Sequence, residues 1–186
     1  MKKIVFIGGM CGSKRDIFLI KRILKEFNIL YFKYDSSLTK TIEQYSLELK
    51  KFINKINLNK NEKIKIVSFS AGGIIAEYYL KFVDNDKVDK IIAVCSPFKG
   101  SWLPLIYPRK MRGLQECKKN SIFLKKLRAH KLKETIGEKT FWCLFDPIVP
   151  GISARGENPE HTFFPLHWII QFWPPLIYKI RKFLLN

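Results

Sequence analysis

One stretch constrains this chain more than any other: residues 63–80, KIKIVSFSAGGIIAEYYL. It opens with β-branched and aromatic residues and no Gly or Pro, which is a strand pattern. Four small residues follow, Ser70, Ala71, Gly72 and Gly73. Ile74, Ile75, Tyr78 and Tyr79 then recur on one stripe, a helical pattern. Strand, tight turn and helix, with a Ser at the turn, is the geometry of a nucleophile elbow. Such a turn lifts the hydroxyl off the end of a sheet and aims the first amides of the helix beside it. Strand and helix nearly touch there, so the places two before and two after the Ser must be small. Ser68 and Gly72 fill them, giving Ser-x-Ser-x-Gly where Gly-x-Ser-x-Gly is the usual form. A plain connector between strand and helix has the same look, so the rest of the chain must decide.

The remaining pattern alternates strands with helices. Residues 3–7 read as a buried strand, followed by a glycine-rich turn at 8–13. A helix is expected over 16–27, a strand over 29–34 and an amphipathic helix over 39–56, with Ile42, Leu49, Phe52, Ile53 and Ile56 inward. Strands are expected at 64–69, 90–95, 140–144 and 162–164, and helices at 71–83 and 176–185. This alternation predicts an α/β fold: a mostly parallel sheet of about six strands with helices on both faces. Residues 1–186 are expected to form one domain. Residues 98–138 break the rhythm as an irregular or helical insert, with a helix over 121–133, and are a candidate lid.

In a parallel sheet, sites form beyond the carboxyl ends of the strands. Ser70 follows the central strand, Asp146 follows the strand at 140–144, and His167 follows the last. Ser, acid and His in that order make a candidate triad. A Ser hydroxyl needs a base to take its proton, and His suits that role near neutral pH. The acid fixes the imidazole's tautomer. Two amides must meet the developing oxyanion, and Met10 and Ala71 are placed to supply them. His161 is the alternative base, Asp35 the second-choice acid, and His130 reads as solvated. Cys11 beside the first turn has no base arranged near it in sequence. Trp102 and Phe98 are the candidate substrate-binding residues. Trp102, Leu103, Leu105 and Ile106, with the aromatic-rich run at 168–178, frame an apolar mouth.

Several segments carry a resemblance. Residues 96–101, SPFKGS, resemble the Thr-Pro-His-x-Gly-Thr segment that follows the next strand in small lipases. Residues 120–124, NSIFL, resemble their Ser-x-Phe-Leu helix start. Residues 146–150, DPIVP, resemble the Asp-x-x-Val-Pro loop of the triad acid, and His167 stands seven residues before Pro174. The chain thus resembles the α/β-hydrolase superfamily, and within it the small lipases and related esterases, over residues 3–184. The resemblance implies a serine esterase or lipase working through an acyl-enzyme without cofactor or metal. It departs from that pattern in having Gly8-Gly9 where His-Gly is usual, Phe98 for the His, and Leu166 where Gly is common. The first departure removes a side chain that supports the oxyanion turn. The alternatives are a lipid acyltransferase on the same fold, or a non-catalytic basic module binding membrane surfaces.

Composition bears on partners. The formal charge is +18, from 34 Lys and Arg against 16 Asp and Glu. That surplus favours anionic surfaces, so peripheral contact with an anionic membrane is expected. A Lys-rich proteome default gives the same surplus. No recognition motif or Arg-aromatic stripe points to nucleic acid. The four scattered Cys offer no metal spacing and suggest a reducing compartment. The apolar run after Met1 is four residues long, too short for a secretory core of roughly 7–15. A cytoplasmic, membrane-peripheral location is the expectation.

Overall fold

The computed structural model describes residues 1–10, 12, 18–162, 167, 170 and 173–186. Cys11, residues 163–166 and part of the aromatic run at 168–178 lie outside them. Six strands form one sheet: β1 (Lys3–Ile7), β2 (Asn28–Tyr31), β3 (Ile64–Phe69), β4 (Val88–Val94), β5 (Gly137–Cys143) and β6 (Pro159–Thr162). Their order is β2-β1-β3-β4-β5-β6 and every neighbouring pair is parallel. The chain winds one way from β1 to β2, then crosses back to β3 and continues the other way. The strand order therefore reverses between β1 and β3, the place where open α/β sheets form their crevice.

The helices are α1 (Phe18–Ile23), α2 (Ile42–Asn54), α3 (Ala71–Tyr78), α4 (Arg112–Glu116), α5 (Ile122–Ala129) and α6 (Pro174–Leu185). They cover both faces. α2, α3 and α5 pack on one core, with Val5, Ile66, Ile74, Tyr79 and Leu124 inside it. α1 and α6 pack on the other, around Phe6, Val67, Phe141 and Ile177. Burial on both sides explains why β1 and β3 read as near-continuous apolar runs rather than alternating ones. Thr41 and Gln44 form a reciprocal capping box that starts α2. Ser46 donates from inside α2 to Ile42 O and is also 2.9 Å from Ile75 O, tying α2 to α3. Pro174 and Pro175 open α6, where a missing amide costs nothing.

Several boundaries differ from the sequence expectation, each for a local reason. β4 and β5 begin earlier, at Val88 and Gly137, because charged residues near their starts are absorbed by cross-strand ion pairs. Lys65, buried in β3, meets Asp89 at 2.6 Å, and Lys139 meets Glu160 at 3.0 Å. The helix expected over 71–83 widens after Tyr78 into a π turn, Tyr79–Val83, closed by Asp84 N–H to Tyr79 O. α5 stops at Ala129 rather than 133 because His130 is extended. The described last strand, Pro159–Thr162, lies earlier than expected.

Beneath α5, charge is buried beside the apolar contacts of Leu124 and Leu127. Glu77 of α3 is ion-paired with Lys81, whose Nζ also donates to Leu127 O of α5 at 3.0 Å. Glu138 of β5 stands near them. Burial first, then the negative charge of Glu77 and Glu157, lifts its carboxyl to about 7. Its folded value lies above the unfolded one of about 4.5, so ionising it between those two pH values opposes folding. The penalty is absent at pH 4.5 and full above pH 7. Glu138→Gln should therefore melt at a higher temperature than the parent at pH 8, with the gain vanishing toward pH 4.5. An equal difference at both pH values in calorimetry would refute this account.

Candidate active site

Ser70 ends β3 with φ 51° and ψ −127°, in the left-handed half of backbone space that L residues rarely adopt. The strain is held by neighbours. Ser70 N–H donates to Val94 O of β4 at 2.9 Å, and Gly73 N–H donates back to Ser70 O at 3.0 Å. The glycines permit the approach. A Cβ on Gly72 would stand 2.5 Å from Gly8 O and 2.6 Å from Ile7 O, and one on Gly9 would meet the Ser70 Cβ at 2.8 Å. Helix α3 thus sits directly on the end of β1. Ser68, two before Ser70, is fully buried and donates to Ile92 O at 2.8 Å. The hydroxyl that replaces the usual Gly finds an acceptor on β4.

His167 Nε2 lies 2.9 Å from Ser70 Oγ, and His167 Nδ1 lies 2.6 Å from Asp146 Oδ2. The ionised carboxylate only accepts, so Nδ1 carries the ring proton and Nε2 accepts from the Ser70 hydroxyl. The side chain of Asp146 is fully buried and that of His167 is 7% exposed. Asp146 Oδ1 accepts from Ile148 N–H at 2.8 Å and from Val149 N–H at 2.9 Å. These two amides leave Oδ2 to the imidazole and set the carboxylate's orientation. The structure therefore brings Ser70, His167 and Asp146, 97 and 21 residues apart by pairs, into one chain of hydrogen bonds.

Met10 and Ala71 border the same cavity as Ser70. Ala71 is the first residue of α3, so its N–H has no intrahelical partner. Gly8, in the turn before Met10, accepts a hydrogen bond at 2.8 Å from the Tyr34 hydroxyl. Tyr34 was not legible as a site residue. It braces from β2's side the turn that a His would brace in the usual pattern. Leu38, Leu103, Leu114 and Val149 complete the cavity and leave about 20 Å³ open, little more than one water occupies. Phe98 does not reach it: that side chain is buried in the core with α2 and α3. Trp102 is 41% exposed and donates from Nε1 to Pro147 O at 2.7 Å, against the Asp146 loop.

The alternatives lie elsewhere. Asp35 is engaged by Ser37, Thr39 and Tyr45, and the Ser37 and Thr39 hydroxyls foremost hold its carboxyl down to about 2. His161 of β6 packs on the Trp142 ring of β5. His130 is exposed, with its Nδ1 3.1 Å from Lys126 O. Cys95 is the closest residue with metal-binding chemistry: its Sγ and donor atoms of Asp146 and His167 lie within 4.8 Å of one another. Its Sγ is 3.4 Å from that of Cys143, and both thiols are buried. That contact foremost, then burial, pushes the Cys95 thiol well up. A protonated thiol is a poor metal ligand, and the other two groups are bound to each other.

Comparison with known proteins agrees with this architecture. The chain belongs to the lecithin:cholesterol acyltransferase family, whose model matches residues 26–139. The matched span holds the elbow; Asp146 and His167 lie beyond it. The fold is that of the α/β hydrolases. The structure is similar to the mature lipase BlEst2 of Bacillus licheniformis, at TM-score 0.77 and 17% identity over 98% of this chain and 91% of that one. It is similar to the ydeN gene product of B. subtilis, at TM-score 0.71 and 15% identity over all of both chains. It is also similar to phospholipase PlaB of Legionella pneumophila, at TM-score 0.72 and 12% identity over 83% of this chain and 44% of that one. No curated protein matches the sequence.

Two substitutions test the packing around Ser70. Gly72→Ala forces a methyl into the carbonyls that end β1 and should cost about 1–3 kcal/mol in urea unfolding. Tyr34→Phe removes one hydrogen bond and should cost about 1 kcal/mol. A Gly72→Ala protein as stable as the parent would show that α3 does not need this close approach.

Proposed function

We propose that this protein is a serine hydrolase that cleaves carboxylic esters of lipids through an acyl-enzyme on Ser70. The observation that carries the reading is the unbroken hydrogen-bond chain from Asp146 through His167 to the Ser70 hydroxyl. Ser70 Oγ attacks the ester carbonyl carbon while His167 Nε2 takes its proton. The negative charge of Asp146 stabilises the imidazolium. The carbonyl oxygen becomes an oxyanion facing the Met10 and Ala71 amides. Collapse of the tetrahedral intermediate breaks the ester C–O bond, and His167 gives its proton to the leaving alcohol. Water, activated by the same imidazole, then releases the acid and restores Ser70.

Family membership favours a second reading, in which an alcohol rather than water takes the acyl group from Ser70. The chemistry to that point is the same. In both readings the nearly closed cavity must open for an acyl chain. Leu103, Leu114 and Cys117 of the 98–138 segment wall it, so that segment is the part that shifts as a lid. Trp102, Leu105, Ile106, Phe145 and Ile152 leave large apolar side chains exposed on the loops after β4 and β5. With the basic surplus they support peripheral docking on an anionic membrane from the cytoplasmic side. No helix among the described residues is long and apolar enough to cross a membrane.

Ser70→Ala should lower turnover of a short p-nitrophenyl ester by roughly 10³-fold or more while leaving the circular dichroism and melting curve unchanged. An organophosphonate probe should modify Ser70 in the parent, as read by peptide mapping. Turnover that survives the substitution ends the proposal, and a parent that neither turns over esters nor reacts with the probe is a non-catalytic binding module. Product analysis with and without glycerol or sterol as acceptor separates hydrolysis from transfer.

A further inference from the structure

Asp146 can orient His167 only if the carboxylate is itself held, and two peptide groups hold it. Its Oδ1 accepts from Ile148 N–H at 2.8 Å and from Val149 N–H at 2.9 Å, and the side chain is fully buried. Each of those amides belongs to a planar trans peptide whose carbonyl points the opposite way. The peptide that carries Ile148 N–H ends in Pro147 O, and the one that carries Val149 N–H ends in Ile148 O. Side chains of one other loop take both carbonyls. Trp102 Nε1 donates to Pro147 O at 2.7 Å, and Ser101 Oγ donates to Ile148 O at 2.8 Å. Two consecutive residues of the loop after β4 therefore grip, from behind, the two consecutive peptides that meet Asp146.

The grip is itself braced. Ser101 is buried, its N–H donates to Cys117 O at 2.9 Å, and its hydroxyl accepts from Leu103 N–H at 3.2 Å. With that amide on its oxygen, the hydroxyl proton is directed at Ile148 O. The indole N–H of Trp102 can only donate, so it needs an acceptor, and Pro147 O supplies one. Alongside, Lys99 N–H donates to Ser153 O at 3.1 Å, and the Ser153 hydroxyl donates to Gly100 O. Ile148, Val149 and Ala154 form a small apolar cluster against Leu103 and Trp142. Residues 99–102 are thus the fixed base of the 98–138 segment. A donor on a peptide carbonyl polarises that peptide and strengthens the bond made by its N–H, most of all when the acceptor is ionised. Both relays, from Trp102 and from Ser101, end on Oδ1. That leaves Oδ2 to His167 Nδ1 at 2.6 Å.

We propose that Ser101 and Trp102 are positioning residues for the Ser70 site: acting through the Pro147–Ile148 and Ile148–Val149 peptides, they fix the Asp146 carboxylate in the orientation that receives His167. This rests on the ester-hydrolase reading and adds two residues to it. Neither role requires contact with substrate, so Trp102 serves the site through its N–H and not as a substrate-binding ring.

A double-mutant cycle tests this, read on hydrolysis of a soluble p-nitrophenyl ester by the full chain. Trp102→Phe keeps an aromatic ring and loses the donor, and Ser101→Ala loses the hydroxyl. Each should lower kcat about three- to tenfold with KM unchanged, the loss expected of one hydrogen bond felt in the transition state. In an Asp146→Ala background the same substitutions should change kcat by less than about twofold, because no carboxylate remains to be oriented. Equal losses in both backgrounds overturn the proposal. So does an unchanged kcat in both single variants, or a rise in KM at constant kcat, which is the signature of a substrate contact. Should Ser101→Ala fail to fold, Trp102→Phe carries the test alone, since that residue is 41% exposed. If the parent hydrolyses no ester, the Ser70 reading has failed by itself, and the positioning is then read by proton NMR. The proton on His167 Nδ1, held against Asp146, should resonate far downfield of the backbone amides, and both variants should shift or broaden that signal. A signal identical in parent and variants, or none in the parent, overturns the proposal.

Discussion

Everything at the site depends on how closely two backbones approach. The carbonyls of Ile7 and Gly8 at the end of β1 lie where a side chain on Gly72 would be. That contact seats α3 on the sheet and leaves Ser70 in a left-handed conformation between a strand and a helix. The strain persists because hydrogen bonds from Ser70 to β4 and from Gly73 to Ser70 over-determine the turn. A relaxed turn would lay the hydroxyl back on the strand, out of reach of the imidazole.

The sheet supplies the rest by direction alone. All six strands run the same way, so every loop after a strand emerges on one rim. β1 and β3 are neighbours at which the winding reverses, and their two following turns, at Gly8 and Ser70, border one crevice. β4 and β5 then bring Cys95 and Asp146 under the same rim. Asp146 is oriented before the imidazole arrives, because the Ile148 and Val149 amides occupy one of its oxygens. Preorganisation of this kind costs folding energy once and nothing in each turnover.

Charge is distributed with a purpose that composition hides. Away from Asp146, the buried Glu77 and the half-buried Glu116 and Glu138 sit on the α2, α3 and α5 side and are absorbed by a Lys, a helix amide or a raised carboxyl. The cations of residues 97–133 have almost no acidic counterpart in the segment. The +18 surplus is therefore not an even coat of Lys. Residues 97–133 alone carry a net charge of +10.

The amino-acid pattern by itself determined the alternation of strands and helices, the elbow at Ser70, and the placing of Asp146 and His167 after later strands. Those features are local: period, small residues at a turn, and position at a strand end. It left unread whatever depended on partners distant in sequence. The starts of β4 and β5 were hidden because Asp89 and Lys139 look unlike strand residues until ion pairs from neighbouring strands absorb them. Tyr34 showed no role until β2 lay beside β1 and put its hydroxyl on Gly8 O. Phe98 read as a substrate-binding residue, yet the turn after β4 carries it into the core. Only the tertiary structure decided that His167 meets Asp146 and Ser70 at hydrogen-bond distance, because a contact across 97 residues is set by sheet order and loop packing and by nothing within either segment.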